Sequence, residues 1–95
     1  MNVRLTPRAE SDLEGIFRYI AADSESAAHR VIAAVLDALK VLEQFPSAGR
    51  SRDDLFDGLR SWPALQYTAY YVIEESEVLI VRILGGGQNV GPSAF

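Results

Sequence analysis

Cysteine is absent from the 95-residue sequence, and histidine occurs once, at His29. The missing cysteines exclude disulfides and thiolate metal sites, and one histidine cannot form a histidine cluster. The run Gly85-Gly86-Gly87 follows a predicted strand but precedes no predicted helix, so it lacks the setting of a phosphate-binding loop. We therefore expect no metal and no cofactor. The composition also fits the reducing cytoplasm, where we expect the chain to act.

A basic excess is missing as well. Nine Lys and Arg stand against 13 Asp and Glu, which gives a formal net charge of −4 and a pI near 4.8. Proteins that bind nucleic acid usually carry a strong basic excess. We therefore expect no direct DNA binding, and a contact with any polyanion would need a local arginine cluster. Arginine supplies all of the basic residues except Lys40, and it suits bidentate contacts with carboxylate or phosphate.

Long apolar runs are also lacking. The longest stretch, residues 78–84, is interrupted by Arg82 and is far too short to span a bilayer. The first residues include Arg4 and no apolar segment of a signal peptide, so we expect no membrane association. A length of 95 residues predicts one domain, 1–95, with a modest core and a thin margin of stability. A partner that covers apolar surface would add to that margin.

The first half of the chain predicts a strand and two helices. Alternation around Val3 and Leu5 indicates a short strand, and Thr6-Pro7 is a typical helix start, with a capping hydroxyl followed by proline at the first helical position. The segment Asp23-Ser24-Glu25-Ser26 offers N-caps for a second, longer helix that ends before Pro46. The short connection predicts an antiparallel helical hairpin.

The second half of the chain has the period of strands. A polar loop over 46–58 precedes predicted strands at 59–62, 66–74 and 78–84, with the first of them stopping at Pro63 and the last at the glycines. The segment 88–95 is expected to be an irregular tail. The element order β-α-α-β-β-β predicts an α+β fold, with the helical hairpin on one face of a mostly antiparallel sheet.

Two helices cover only one face of such a sheet. Alternation predicts that Leu79, Val81 and Ile83 face the helices, whereas Val78, Ile80, Arg82 and Leu84 face away. Neither face of the preceding strand is strongly polar. The uncovered face therefore needs a cover, which is either the helix or strand of a partner or the folded-back tail 88–95.

Several local signatures occur in the order found in one toxin family. The chain resembles the ParE/RelE toxins of bacterial toxin–antitoxin modules, and the ParE branch most closely, from about Val3 to Leu84. The matching residues are Arg4-Leu5-Thr6-Pro7-Arg8-Ala9-Glu10-Ser11-Asp12-Leu13, Ile16, Tyr19-Ile20-Ala21, Ala28, Arg30, Val31, Leu42-Glu43-Gln44-Phe45-Pro46, Gly49-Arg50, Gly58-Leu59-Arg60-Ser61, Tyr67, Tyr71 and the strand 78–84.

The resemblance implies a function and a partner. One branch of the family cleaves messenger RNA on the ribosome, and ParE proper inhibits DNA gyrase by binding. Both are neutralised by an antitoxin, here expected to be ParD-like. The expected antitoxin-binding residues are Trp62, Tyr67, Tyr71, Val78, Ile80, Arg82 and Leu84. The expected target-binding residues are Arg50, Arg52 and Arg60, with a solvated loop balanced by Asp53 and Asp54 as the alternative for the first two.

The sequence departs from the family after the last strand. The family commonly has His-Gly-x-Arg-(Asp) there, whereas this chain has Gly85-Gly86-Gly87-Gln88-Asn89, and neither Tyr nor His follows Tyr71. Ribonuclease relatives use arginines at the positions of Arg60 and Arg82 to hold phosphate, but the sequence offers no clear acid or base. Gyrase inhibition is therefore favoured. The alternatives are a ribosome-dependent endoribonuclease and a degenerate toxin that only binds antitoxin. If the two arginines do not hold phosphate, we expect them to pair with carboxylates of the antitoxin or with Asp57.

Overall fold

Two helices follow the first strand, and the remaining strands follow the helices. The computed structural model describes residues 1–85 and 90–95. In it the elements are β1 (Asn2–Leu5), α1 (Pro7–Ala21), α2 (Glu25–Gln44), β2 (Arg50–Ser51), β3 (Arg60–Ala64), β4 (Tyr67–Glu74), β5 (Glu77–Gly85) and a 3₁₀ turn (Pro92–Ala94). The predicted α+β order is confirmed, with the short strand β2 added inside the predicted polar loop. Within the described residues, no helix has the length and apolar character needed to cross a membrane.

The helices begin where capping chemistry predicts. The Thr6 hydroxyl accepts a hydrogen bond from the Ala9 N–H at 3.2 Å, and Pro7 occupies the first turn, where a missing N–H costs nothing. Ser24 caps α2 in the same way by accepting from the Ala27 N–H at 3.2 Å. α2 ends at Gln44, two residues before Pro46.

The five strands form one sheet in the order β1-β5-β4-β3-β2. β1 pairs with β5 in parallel, and all other pairs are antiparallel. The predicted stop at Pro63 is wrong, because β3 continues to Ala64. β2 has only two residues and pairs with Arg60 and Ser61, so Pro63 lies on the open edge of β3 and needs no N–H there.

A bulge in β5 explains why residues 78–81 have the opposite faces from those predicted. Tyr70 pairs with Arg82 but Tyr71 pairs with Ile80, so Val81 is an extra residue in β5. Val78 and Ile80 are fully buried in the core against the helices, and the prediction that they face away is wrong. Leu79 and Val81 instead line a groove on the other face, whereas the prediction that Ile83 belongs to the helix side is confirmed.

The core lies between the helical hairpin and one face of the sheet. α2 supplies most of the helical side, and α1 contributes Ala9 at its first turn. The buried cluster consists of Ala9, Val35, Leu39, Leu42, Ala64, Ala69, Tyr71, Val78, Ile80 and Ile83. The opposite face of the sheet carries Tyr70, Val72, Leu79 and Val81 and is called the outer face below; neither α1 nor α2 packs against it.

Candidate partner-binding face

An apolar groove of about 470 Å³ runs along the outer face. Its lining residues are Phe56, Asp57, Gly58, Val72, Ile73, Glu74, Leu79 and Val81. The cross-strand pair Val72 and Leu79 forms the floor, and Phe56 from the loop before β3 forms one wall. Asp57 and Glu74 make the lining acidic, and none of its members is basic. An apolar segment that carries a positive charge is the chemical complement of this groove.

Residues 90–95, called the closing segment below, cover the part of the outer face beside the groove. The Phe95 ring packs edge-on against Tyr70 at 5.1 Å between centroids and against Phe56 at 5.5 Å. Tyr70 is thereby only 4 % exposed, although it lies on the face that the helices do not cover. The closing segment therefore supplies part of the cover that the sequence predicted. Residues 88 and 89 of the predicted tail and residues 86–89 of the altered motif lie outside the described residues.

Arg82 is held inside the protein. Its guanidinium donates to both carboxylate oxygens of Asp12, at 2.8 and 3.0 Å, and to the Ala94 carbonyl. The two side chains of this ion pair are each 14 % exposed. The hydrogen bonds to Asp12 raise the pKa of Arg82, so it stays charged. Its carboxylate partner within the chain is thus Asp12 of α1 and not Asp57, whereas the antitoxin-binding role of Arg82 stays a prediction.

The position of Asp12 follows from the short first strand. β1 ends at Leu5, which pairs with Ile80, so the edge of β5 is open beyond that point. α1 begins there, and Asp12 accepts the Ile83 N–H at 2.9 Å in place of a neighbouring strand. In the sequence Asp12 stands out only as one of the residues that carry the family resemblance. No local signal joins residues 70 positions apart, so this role could not be derived from spacing.

Arg60 and Tyr71 fix the loop that follows α2. The Arg60 guanidinium donates to the carbonyls of Ser47 and Gly49, at 3.2 and 2.8 Å. The Tyr71 hydroxyl donates to the Pro46 carbonyl at 2.6 Å and accepts the Gly49 N–H at 2.9 Å. Burial raises the pKa of Tyr71. Arg60 therefore contacts backbone carbonyls and not Asp57, and Tyr71 lies in the core.

Trp62 and Tyr67 lie at the rim of the core on the helix side. Trp62 is half-buried, and its indole N–H donates to the Ala38 carbonyl of α2 at 2.9 Å. Tyr67 is also half-buried and packs against the same core. Of the expected antitoxin-binding residues, Tyr71, Val78 and Ile80 have no exposed surface in this chain, whereas Leu84 is half-buried. The antitoxin-binding role of all of them stays a prediction.

Arg50 and Arg52 lie near the β2 edge of the sheet. Arg50 is exposed in β2. Arg52 makes two hydrogen bonds of 3.1 Å to Asp54 and lies 5.9 Å from the centre of the Tyr70 ring. The hydrogen bonds to Asp54 raise the pKa of Arg52, and the pKa of Asp54 is lowered by the same contact. The predicted balance between these charges is thus a direct pair, which leaves Arg50 as the more accessible cation.

The described residues contain no group of three His, Asp or Glu side chains arranged to hold a metal ion. His29 lies on α2, where its ring packs against Phe17 at 4.9 Å and its Nε2 is 3.7 Å from Glu25. It is therefore in the helical layer, on the other side of the sheet from the groove.

Comparisons with known proteins define the family of this chain. Residues 3–90 match the model of the ParE toxin of type II toxin–antitoxin system, parDE, and the chain belongs to this family. Toxin ParE3 of Caulobacter vibrioides is 32 % identical over 92 residues, which cover 93 % of this chain and 88 % of that protein. The predicted ParE branch is confirmed.

Solved structures agree on the fold. A chain of the chromosomal ParDE system from P. aeruginosa matches with a TM-score of 0.77 and 23 % identity, covering 90 % of this chain and 95 % of that chain. A chain of the toxin–antitoxin complex RelBE2 from Mycobacterium tuberculosis matches with a TM-score of 0.67 and 25 % identity, covering 88 % and 95 %. The protein is thus a type II toxin with the RelE/ParE-like fold.

Proposed function

We propose that this toxin inhibits DNA gyrase by binding and performs no catalysis of its own. Residues 1–95 would act as one toxin domain in the cytoplasm, where gyrase acts. Membership of the ParE family supports this target. The acidic net charge of −4 supports a protein target rather than direct binding to DNA.

The engagement of Arg60 and Arg82 inside the fold is the observation that carries the proposal. Cleavage of RNA needs a cation at the phosphate, a base near the attacking hydroxyl and an acid at the leaving oxygen. Arg82 is committed to Asp12 and Arg60 to two backbone carbonyls. The buried Tyr71 hydroxyl donates to the Pro46 carbonyl, and burial raises its pKa, so the hydroxyl stays protonated at neutral pH and cannot accept a proton as a base. The two arginines and the tyrosine that could serve a ribonuclease therefore make internal hydrogen bonds that stabilise the fold.

A ParD-like antitoxin is proposed to neutralise the toxin by covering the outer face. The apolar groove and its acidic residues Asp57 and Glu74 support an antitoxin segment with apolar anchors and at least one basic residue. Such a complex buries surface that water otherwise contacts, so it should melt at a higher temperature than the free toxin. Equal melting temperatures with and without antitoxin would contradict this part of the proposal.

A supercoiling assay with purified gyrase and antitoxin-free toxin tests the target. Ribosome-programmed mRNA cleavage is run in parallel. Arg50→Ala removes the most accessible predicted target contact, and Lys40→Ala, on an α2 side chain that is 70 % exposed, is the matched loss of one exposed cation. We expect gyrase inhibition without cleavage, weakened by Arg50→Ala and unchanged by Lys40→Ala. Cleavage without gyrase inhibition would overturn the proposal.

A ribosome-dependent endoribonuclease is the second candidate. The match to a chain of the RelBE2 complex, at 25 % identity, favours it. In that case Arg60 or Arg82 would have to leave its internal partner to reach phosphate. A toxin that is silent in both assays but still binds antitoxin would instead be a degenerate member of the family.

A further inference from the structure

The closing segment shows what kind of side chain the outer face accepts. Tyr70 and Phe56 form two sides of an apolar subsite, and the Phe95 ring lies in contact with both. Arg82 donates to the Ala94 carbonyl directly beside that ring. The subsite therefore binds an aromatic side chain together with the backbone carbonyl of the preceding residue.

This subsite is continuous with the groove. Phe56 belongs to both, since its ring contacts Phe95 and also lines the groove with Val72, Leu79 and Val81. A segment bound along the groove that continues past Phe56 enters the position of Phe95. The same position cannot hold both segments at once.

No residue of the closing segment is fully buried. Its own turn is made by the Ala94 N–H bonding to the Gly91 carbonyl at 3.0 Å and the Phe95 N–H bonding to the Pro92 carbonyl at 3.2 Å. Its contacts with the rest of the chain include the two ring contacts, with Phe56 and Tyr70, and the hydrogen bond from Arg82. Short segments without fully buried residues open locally at low cost in free energy.

We propose that Phe95 occupies an anchor subsite for the antitoxin, and that the antitoxin displaces the closing segment with a large apolar side chain of its own. This inference rests on the proposed docking of the antitoxin on the outer face. The displacing residue would repeat the contacts of Phe95, with its ring or branched chain on Tyr70 and Phe56 and the carbonyl before it accepting from Arg82. A basic residue further along the same segment would then meet Asp57 or Glu74.

The closing segment is thus an internal competitor of the antitoxin. A competitor that keeps the subsite closed for most of the time weakens the apparent affinity by the fraction of molecules that are open. Removing the Phe95 ring should remove that penalty. If the closing segment instead formed part of the interface, the same change should weaken binding.

The test compares the antitoxin dissociation constants of wild type, Phe95→Ala and Phe45→Ala by titration calorimetry. Phe45 follows α2 and is 60 % exposed, so its replacement removes the same ring far from the outer face. We expect Phe95→Ala to bind antitoxin about tenfold more tightly, as for a subsite open in roughly one molecule in ten, and Phe45→Ala to bind like wild type. Equal or weaker binding by Phe95→Ala, or an equal gain in Phe45→Ala, would overturn the proposal.

Hydrogen exchange distinguishes displacement of the closing segment from a purely structural role of Phe95, because a structural role predicts no faster exchange when the antitoxin binds. The Ala94 and Phe95 amides of the wild-type chain should exchange faster when the antitoxin is bound, because displacement opens their turn. Slower exchange would mean that the closing segment stays in place under the antitoxin, and would overturn the proposal.

An apolar dye separates failure of this inference from failure of the proposed function. Phe95→Ala should bind anilinonaphthalene sulfonate more strongly than wild type, with or without a functional antitoxin. Equal dye binding would show that the closing segment does not cover the subsite, and would overturn the inference while leaving the proposed function intact. Antitoxin binding to neither variant would overturn both.

Discussion

Replacing Gly49 with alanine tests how tightly the loop after α2 is packed on the sheet. A Cβ at this position would lie 2.5 Å from the Tyr71 hydroxyl, 2.6 Å from the Tyr71 Cε1 and 2.8 Å from the Ser61 carbonyl oxygen. Each distance is well inside van der Waals contact. Two of the three atoms belong to a fully buried ring and one to the backbone of β3, so none can move aside freely.

The cost can be worked from these contacts. Overpacking a filled core costs about 1–3 kcal/mol. Displacing the Tyr71 ring would also weaken its hydrogen bonds to Pro46 and Gly49, each worth about 1 kcal/mol. The expected loss in the free energy of unfolding is therefore about 3–4 kcal/mol. For a domain of this size that loss lowers the melting temperature by roughly 12–32 °C.

Urea unfolding followed by circular dichroism measures the effect. The matched control is Gly15→Ala in α1, where a Cβ meets no heavy atom within 4 Å. That change should stabilise the chain by about 0.5–1 kcal/mol, because alanine is the better helix former. A Gly49→Ala variant whose unfolding free energy lies within about 0.5 kcal/mol of wild type would refute the steric reasoning.

Three other contacts make quantitative predictions. Asp12→Ala leaves Arg82 largely buried without its partner and should cost about 3 kcal/mol by urea unfolding; addition of Arg82→Met should recover part of this, and a cost no larger than that of Asp37→Ala in an exposed pair would contradict it. The raised pKa of Tyr71 means that its contribution to stability is complete below the unfolded value of 10.0 and is lost as pH rises through the folded value. The difference in the free energy of unfolding between wild type and Tyr71→Phe should therefore become smaller above pH 10. Urea titrations at alkaline pH measure it, and a difference that does not change above pH 10 would contradict this prediction. Thr6→Ala should cost about 1 kcal/mol by thermal unfolding through loss of the α1 cap, with no effect expected from Ser93→Ala.

Local chemistry predicted the beginnings and ends of the helices. Thr6 and Ser24 cap their helices through hydrogen bonds from the N–H groups of Ala9 and Ala27, each only three residues further along the chain. The change of period along the chain predicted the order of helices and strands in sequence and hence the α+β arrangement, and the family resemblance agreed with it. These features could be predicted because each depends on nearby residues or on the whole pattern of the chain.

The faces of β5 could not be predicted from alternation. Alternation assumes a strict period of two along the predicted strand 78–84. In β5, which has nine residues, the bulge at Val81 shifts the pairing with β4 by one residue, so the faces before and after Val81 do not follow one alternation. A bulge arises from the pairing with β4 and leaves no mark in the apolar pattern of β5. The candidate site inherited this error, because Val78 and Ile80 were expected on the face that Leu79 and Val81 in fact occupy.

The hydrogen-bond partners of Arg60 and Arg82 could not be predicted from the sequence either. Arg82 and Arg60 were recognised as important strand residues, but Asp12 and the Gly49 carbonyl are brought to them only by the finished fold. The coverage of Tyr70 by Phe95 is of the same kind, since it joins β4 to a segment that follows β5. Sequence reasoning offered a folded-back segment as one of two covers and could not place its ring.

The parallel pairing of β1 with β5 determines when, during synthesis, the sheet of this toxin can form. Asn2 and Val3 pair with Glu77 and Val78, so the first strand made on the ribosome has no partner until nearly all of the chain has been synthesised. At about 5–20 residues per second, β1 waits for several seconds. Closing so long a loop also makes the pairing slow relative to the local helical hairpin. A nascent chain can form its helices early, but the sheet that carries the outer face exists only after the last strand has emerged.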